Sequence, residues 1–563
     1  MDKNYLNYGF GPLVGKDALG RRLPILSKVG PRRRDRYVGI FYFVNKSPVK
    51  NSIPINVTKL LQEHPEVARD FDHPAWGPPE SIYYWGEPLF GYYLTSDEWV
   101  IHKHIEMLTF ADVDFLVFDT TNRLTFRDDC KLILSVLNKY IQAGWNVPKV
   151  VYYTNTKSGE TIQEIYEDIY KPAFYPDTWF YWEGKPLIIG LPWECSREVQ
   201  EFFTFRLSQW PTEPPKEGGF PWIDFERPQH IFRDKAGNPE IISVSVAQHP
   251  QLRFGDSAMY GEIRNRGRAF HDGYNDKTPG ALLWGFNFAE QWEYAISQDP
   301  RIVFVTGWNE WTAPRFRGSK DRPVSFIDQA NWEFSRDIEP MKGGHFDNYY
   351  MQLIDYVRRY KGTDPIPDAG PKKTIDIRGP FTQWDDVQPT YYDMPFGNLH
   401  RNHPGYGNII YTNDSGRNSF DTMKVARDDE NIYFYVRTRE PIKGVSFTPW
   451  MWLLLHIEDN EDVGWEGYHY MVNMITIDND FSVIHRSLGG WRWVPVGRAP
   501  MRVEGNEMMI AIPRDLLGLG NGDTPFEIHF KWADNIKGDW SIKDLYLNGD
   551  TAPYGRLNYV YSC

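Results

Sequence analysis

Residues 301–311 read Arg-Ile-Val-Phe-Val-Thr-Gly-Trp-Asn-Glu-Trp: a short run of β-branched and aromatic residues that stops at Gly307 and leaves a carboxylate between two tryptophans. Such a run reads as a strand buried on both faces, the form found in parallel sheets. A glutamate flanked by indoles at the end of a buried strand is hard to explain as packing, so Glu310 is a candidate working residue. The competing reading is a buried ion pair with a neighbouring arginine such as Arg315 or Arg317, because buried charges are normally paired. Trp308, Asn309 and Trp311 add apolar faces and hydrogen-bonding groups that suit a sugar ring, with its C–H faces and hydroxyl rim.

Upstream of this stretch, apolar runs alternate with amphipathic patterns. Strands are expected at 37–44, 114–119, 149–153, 186–190, 220–225, 241–247, 281–287 and 302–307, and helices at 130–143, 162–170, 197–210 and 289–298. A further helix, with Ile101, Ile105 and Leu108 on one side, follows a capping box over Thr95–Glu98. The alternation predicts parallel β/α units and an α/β fold, a (β/α)₈ TIM barrel over residues 37–362. Residues 1–36 form an N-terminal extension whose basic run, Arg32-Arg33-Arg34-Asp35-Arg36, reads as a solvated approach to the first strand. Residues 363–380 concentrate Gly, Pro and charge as a linker does. From 381 to 563 the period changes to two, predicting an all-β sandwich.

With 62 Lys+Arg against 75 Asp+Glu, the net charge of −13 argues against a nucleic-acid surface. No apolar stretch approaches the ~20 residues that span a bilayer. Aromatic residues reach 16%, enough to serve both as core and as stacking platforms for carbohydrate. The three cysteines are far apart, His102 and His104 fall on different faces of their helix, and neither a Gly-rich phosphate loop nor a GxSxG elbow occurs. No metal or cofactor is expected. A secreted or periplasmic home, with an export signal removed, is the expectation for a protein that meets polysaccharide.

In a (β/α)₈ barrel the active site is assembled at the C-terminal ends of the strands. The carboxylates expected there are Glu310, Asp119 and Asp224, and a glycosidase needs two such groups across one sugar. Asp119, followed by Thr120-Thr121-Asn122, has a loop-holding or helix-capping role as its alternative. Strand position also places Tyr42, Asn122, Asn155, Trp222, His249, Trp308, Asn309 and Trp311 along the cleft.

Four stretches, 37–43, 96–119, 184–190 and 288–311, resemble the glycoside hydrolase family 99-like group of endo-α-mannosidases and endo-α-mannanases. The resemblance implies that Glu310 acts as a base toward the sugar 2-hydroxyl, with a second glutamate three residues on as general acid. Here that position is Ala313, and Tyr152-Tyr153-Thr154-Asn155 stands where the family has an acid after the third strand. Asp119 and then Asp224 are the candidates for the missing partner, with ~5 to 10 Å expected between the Glu310 and Asp119 carboxyls. Residues 384–385, 418–438 and 455–473 resemble a family 9 carbohydrate-binding module or a DOMON-type sandwich, in which Trp465, Trp491 and Trp493 would stack on sugar. The run Asp459-Asn460-Glu461-Asp462 reads as a solvated acidic turn, with calcium as the alternative. The expected function is glycoside hydrolysis of a poly- or oligosaccharide by carboxylate acid/base chemistry. The alternatives are a glycan-binding protein with an inactive site and a polysaccharide lyase.

Overall fold

The computed structural model describes residues 4–563 except 10, 251–258, 261–264, 445–448, 459, 461–462, 477–479 and 521. Eight strands of one sheet pair in parallel: β1 (Tyr37–Tyr42), β2 (Phe115–Asp119), β3 (Lys149–Tyr153), β4 (Lys185–Ile189), β5 (Thr204–Gln209), β6 (Gly219–Pro221), β7 (Pro239–Ser245) and β8 (Ile302–Thr306). Their chain order runs round the ring, β8 lying between β7 and β1, and only the β6–β7 edge lacks a ladder among the described residues. The result is a nearly closed parallel barrel. Across its top, the Thr306 hydroxyl donates to the Trp222 carbonyl.

Helices α1 (Glu98–Phe110), α2 (Arg127–Gln142), α3 (Ser158–Ile165), α4 (Arg197–Phe202), α5 (Phe286–Gln298) and α6 (Asn348–Lys361) follow β1, β2, β3, β4, β7 and β8. No helix lies between β5 and β7 among the described residues, so the barrel departs there from a full set of β/α units. Two expectations fail in compensating ways. The helix over 197–210 ends at Phe202, and Thr204–Gln209, whose Phe205 and Leu207 alternate with Arg206 and Ser208, is a strand. The strand over 281–287 is a 3₁₀ turn, Ala281–Leu283, running into α5. The Thr95–Glu98 box does not form either: Asp97 is the N-cap residue without a side-chain bond, and the Thr95 hydroxyl accepts from the Lys46 amide at 3.1 Å.

Side-chain alternation divides the barrel strands cleanly. Phe41, Phe43, Phe115, Val117, Val151, Tyr153, Leu187, Ile189, Phe220, Trp222, Ile241 and Phe304 pack together inside the barrel. Val38, Ile40, Tyr42, Leu116, Phe118, Val150, Tyr152, Val303 and Val305 point the other way, into the helix layer. Gly39 makes room at the barrel floor, where a β-carbon would sit 2.3 Å from the Phe115 ring. Beneath that floor the basic run is only partly solvated: Arg34 and Asp35 are exposed, but the other arginines are paired. Arg32 pairs with Asp112 and Asp364, and Arg33 and Arg36 both bind Asp299.

The second unit is antiparallel. One sheet comprises β9 (Thr390–Tyr392), β10 (Phe420–Arg427), β11 (Asn431–Thr438) and β16 (Glu507–Pro513); the other comprises β12 (Trp452–Ile457), β13 (Tyr470–Thr476), β14 (Phe481–Ser487), β17 (Glu527–Asp534), β18 (Asp550–Ala552) and β19 (Tyr559–Ser562). The long strand β15 (Trp493–Glu504) belongs to both, pairing with β14 along its first part and β16 along its last. This sandwich shares one core with the barrel's helix layer. Buried ion pairs cross the seam, Arg401 to Asp97 at 2.7 Å and Arg556 to Asp347 at 2.6 Å, and Val14 pairs with Asn558 as a β-bridge. Trp465 is buried, while Trp491 stacks on Trp540 with centroids 4.9 Å apart. Asp459, Glu461 and Asp462 lie outside the described residues.

Candidate active site

The chain after β8 distributes its side chains to two sides. Trp308 is fully buried among helix-layer rings, 5.5 Å from His104 and 6.2 Å from Tyr350. Asn309 is spent on backbone: its Oδ1 accepts from the Phe43 amide at 2.7 Å and its Nδ2 donates to the Phe43 carbonyl at 3.1 Å. Trp311 stacks on Trp85 at 4.2 Å and its indole N–H donates to Glu339. Tyr42 likewise faces the helix layer, its hydroxyl 2.9 Å from His104 Nδ1. These four residues, expected to line the cleft, are structural: each is 3% exposed or less and its ring or polar group is engaged in packing. The tryptophans of the opening motif are therefore explained by packing after all.

Glu310 differs from them. Its side chain retains 11% exposure and meets the Arg336 guanidinium at 2.7 Å. The partner is neither Arg315, which donates to the Phe71 carbonyl, nor Arg317, which pairs with Asp72. Arg336 arrives because residues 336–339 run alongside the end of β8: Gly307 N–H donates to the Arg336 carbonyl at 3.0 Å, and Glu339 N–H to the Trp308 carbonyl at 3.0 Å. The guanidinium also reaches Asp328 at 3.6 Å and lies 4.9 Å over the Trp222 ring. Asp337 Oδ1 accepts from the Glu310 amide at 2.7 Å, and the Glu310 carbonyl accepts from Trp85 and Gln329 side chains, so the backbone carrying the carboxylate is held on several sides.

One guanidinium thus faces several acids. Burial pushes the Glu310 carboxyl well above the ordinary glutamate range; Asp328 and Asp337 add to the shift and Arg336 opposes it. Asp337 is raised to about 6, mainly by burial. Asp119, at the inward-facing parity of Phe115 and Val117, is raised by burial too, and it feels both Asp328 and Arg336. Carboxylates crowded beside one cation are all shifted toward their protonated forms, the direction a general acid requires.

Asp119 also performs its alternative role in part. Its Oδ1 accepts from the Thr121 amide at 3.1 Å and hydroxyl at 2.7 Å, an Asx-type turn that leaves Oδ2 outside. Asp224 is a loop organiser rather than a cleft acid, since both oxygens are consumed by the Glu226 amide and by the amide and ring of His230. Asn122 is exposed, and Asn155 accepts from Ser208 at 3.1 Å. His249 is buried close to Arg336, and burial followed by that cation lowers its pKa to about 3, so it is a neutral imidazole. Its Nε2 has no hydrogen-bond partner among the described residues. Ala313 packs in a small apolar cluster with Tyr83 and Phe326, so no acid stands at that position. Arg336, Asp328 and Asp337 were missed from sequence; for Arg336 and Asp337 the signal is a dense run of charge, 333–339, most of which is buried, and Asp328 has none.

No protein-family profile matches the chain, and no curated protein matches it. Among solved structures it is similar to a glycoside hydrolase family 99 endo-α-mannosidase from Bacteroides thetaiotaomicron, at 15% identity and a TM-score of 0.34, over 58% of this chain and 98% of that one. The same enzyme with Bis-Tris-propane gives 14% and 0.32 over 58% and 98%. A glycoside hydrolase-like protein gives 14% and 0.32 over 60% and 97%. Likeness this loose assigns neither family nor residue roles. No helix among the described residues is long and apolar enough to cross a membrane.

Proposed function

We propose that the protein is a glycoside hydrolase of poly- or oligosaccharides, with Glu310 as the proton-holding carboxyl and Asp119 as the acid facing it across one sugar subsite. The observation that carries this reading is the grouping of Glu310 and Asp328 at the Arg336 guanidinium, itself over the Trp222 face, with Asp119 at a neighbouring strand end and within reach of the charges of Asp328 and Arg336. A raised Glu310 donates its proton to the leaving glycosidic oxygen, and the second carboxylate attacks the anomeric carbon or activates water. A separation near ~5 Å would give retention, and a larger one inversion. Trp222, buried beneath Arg336, and His249, a buried neutral imidazole, back this subsite.

On this reading residues 37–362 are the catalytic unit, in the style of the family 99-like group but without its Glu310-plus-three acid, and the protein works outside the cytoplasm. The sandwich over 381–563 is a carbohydrate-binding-type module that braces the barrel, with the Trp491–Trp540 stack as its platform. A second reading has one supporting observation, the 2.7 Å Glu310–Arg336 pair: a carboxylate held this way in a glycan-binding protein without turnover. Screening plant, algal and microbial glycans for new reducing ends separates them. Hydrolysis lost in Glu310→Gln and Asp119→Asn supports the enzyme; equal activity in all three proteins refutes the site. Binding without any hydrolysis supports the second reading.

A further inference from the structure

In the sandwich, far in sequence from the barrel mouth, β12 and β17 pair so that His456 lies directly opposite His529. Their rings stack with centroids 4.9 Å apart. Glu458 Oε2 lies 3.1 Å from His456 Nε2 and 3.8 Å from His529 Nε2, and the three donor atoms fall within 4.8 Å of one another. Metal–ligand bonds of ~2.0 to 2.2 Å in tetrahedral geometry space their ligands about 3.3 to 3.6 Å apart, so the three atoms need little movement to share one ion.

The hydrogen-bond pattern points the same way. His456 Nδ1 stands 2.8 Å from the Gly467 carbonyl, which only accepts, so Nδ1 carries a hydrogen. Nε2 is then the ring atom that faces the Glu458 carboxylate and is the one placed to ligate. A backbone carbonyl on Nδ1 is also the usual outer partner that fixes a ligating imidazole. Glu458 Oε1 has its own outer partner in Arg22. Glu527 Oε1, 2.8 Å from His529 Nε2, stands ready to bind either the ion or a water on it. The cluster lines a cavity of about 660 Å³ between the sandwich and residues 14–29.

We propose that His456, Glu458 and His529 bind one divalent transition-metal ion of the zinc class, with at least one coordination position open to that cavity. The site is independent of the barrel mouth. Full-length protein is stripped with chelator, dialysed and titrated with ZnCl₂ by calorimetry, alongside His529→Gln and the near-isosteric Glu458→Gln, with circular dichroism of each apo protein as the folding control. Wild type is expected to bind one zinc per chain at micromolar or tighter affinity. Each variant is expected to lose more than the ~10- to 100-fold that removing an outer-shell partner costs. Cobalt(II) in place of zinc should give the visible absorption of four- or five-coordinate metal in wild type only. Absence of saturable one-to-one binding, or binding unchanged in both variants, overturns the proposal; if His529→Gln fails to fold, Glu458→Gln alone decides.

Discussion

The two sides of the β8 end carry opposite assignments for residues that are neighbours in sequence. Trp308, Asn309 and Trp311 turn outward or onto backbone and hold the barrel to its helices, whereas Glu310 alone turns toward Arg336. A motif rich in residues that suit sugar is thus mostly a structural clamp around one chemical group. Aromatic residues near a catalytic carboxylate are weak evidence of substrate contact unless their facing is known.

That contrast is open to breakage from both sides. Glu310→Gln is expected to lower kcat/KM on a cleaved glycan by about 10³-fold or more, within or above the range for a lost general acid, while the protein stays folded by circular dichroism. Trp311→Ala is expected to do the reverse: a cost of about 3 to 5 kcal/mol in urea unfolding, with kcat per folded molecule little changed. If Trp311→Ala instead left stability intact and removed activity, the facing of the motif would be wrong.

A smaller effect tests the acid cluster. The Asp337 carboxyl, at about 6, lies above its unfolded value of ~3.9, so the folded state holds its proton more tightly. The stability this contributes is fully present below about pH 4 and is lost as pH rises through about 6, a change of about 2 to 3 kcal/mol. Asp337→Asn should flatten that part of the wild-type stability profile measured by denaturant midpoints from pH 4 to 7; an unchanged profile would show that the group is not held protonated. Smallest is Asn309→Ala, expected to cost about 1 to 3 kcal/mol because the buried Phe43 N–H and C=O lose their partners, again without a specific loss of turnover.

The barrel was legible in sequence because strands buried on both faces are continuous apolar runs, and the sandwich because its period is two. The fifth strand was not: Thr204–Gln209 follows α4 after one residue, and charged Arg206 breaks the apolar run that a buried strand usually shows. At the candidate site, strand ends nominated Glu310, Asp119 and Trp222, but facing depends on parity counted from an exact strand boundary, and a one-residue ambiguity sends Tyr42 or Trp308 to the wrong side. Arg336 was illegible for a different reason. It lies 26 residues after Glu310 in an irregular segment and reaches it through backbone pairing of 336–339 with the β8 end, for which sequence has no period. The His456, Glu458 and His529 cluster, where no metal was expected, is hidden likewise, since its members meet only through the β12–β17 register.

The most direct test of the central claim is a crystal structure of Glu310→Gln with an oligosaccharide that the wild-type protein cleaves. The scissile glycosidic oxygen is expected within hydrogen-bond distance of the residue 310 side chain, with the Asp119 carboxyl on the same subsite. A glycan bound elsewhere, with the residue 310 side chain still locked to Arg336 and closed off from it, would contradict that claim.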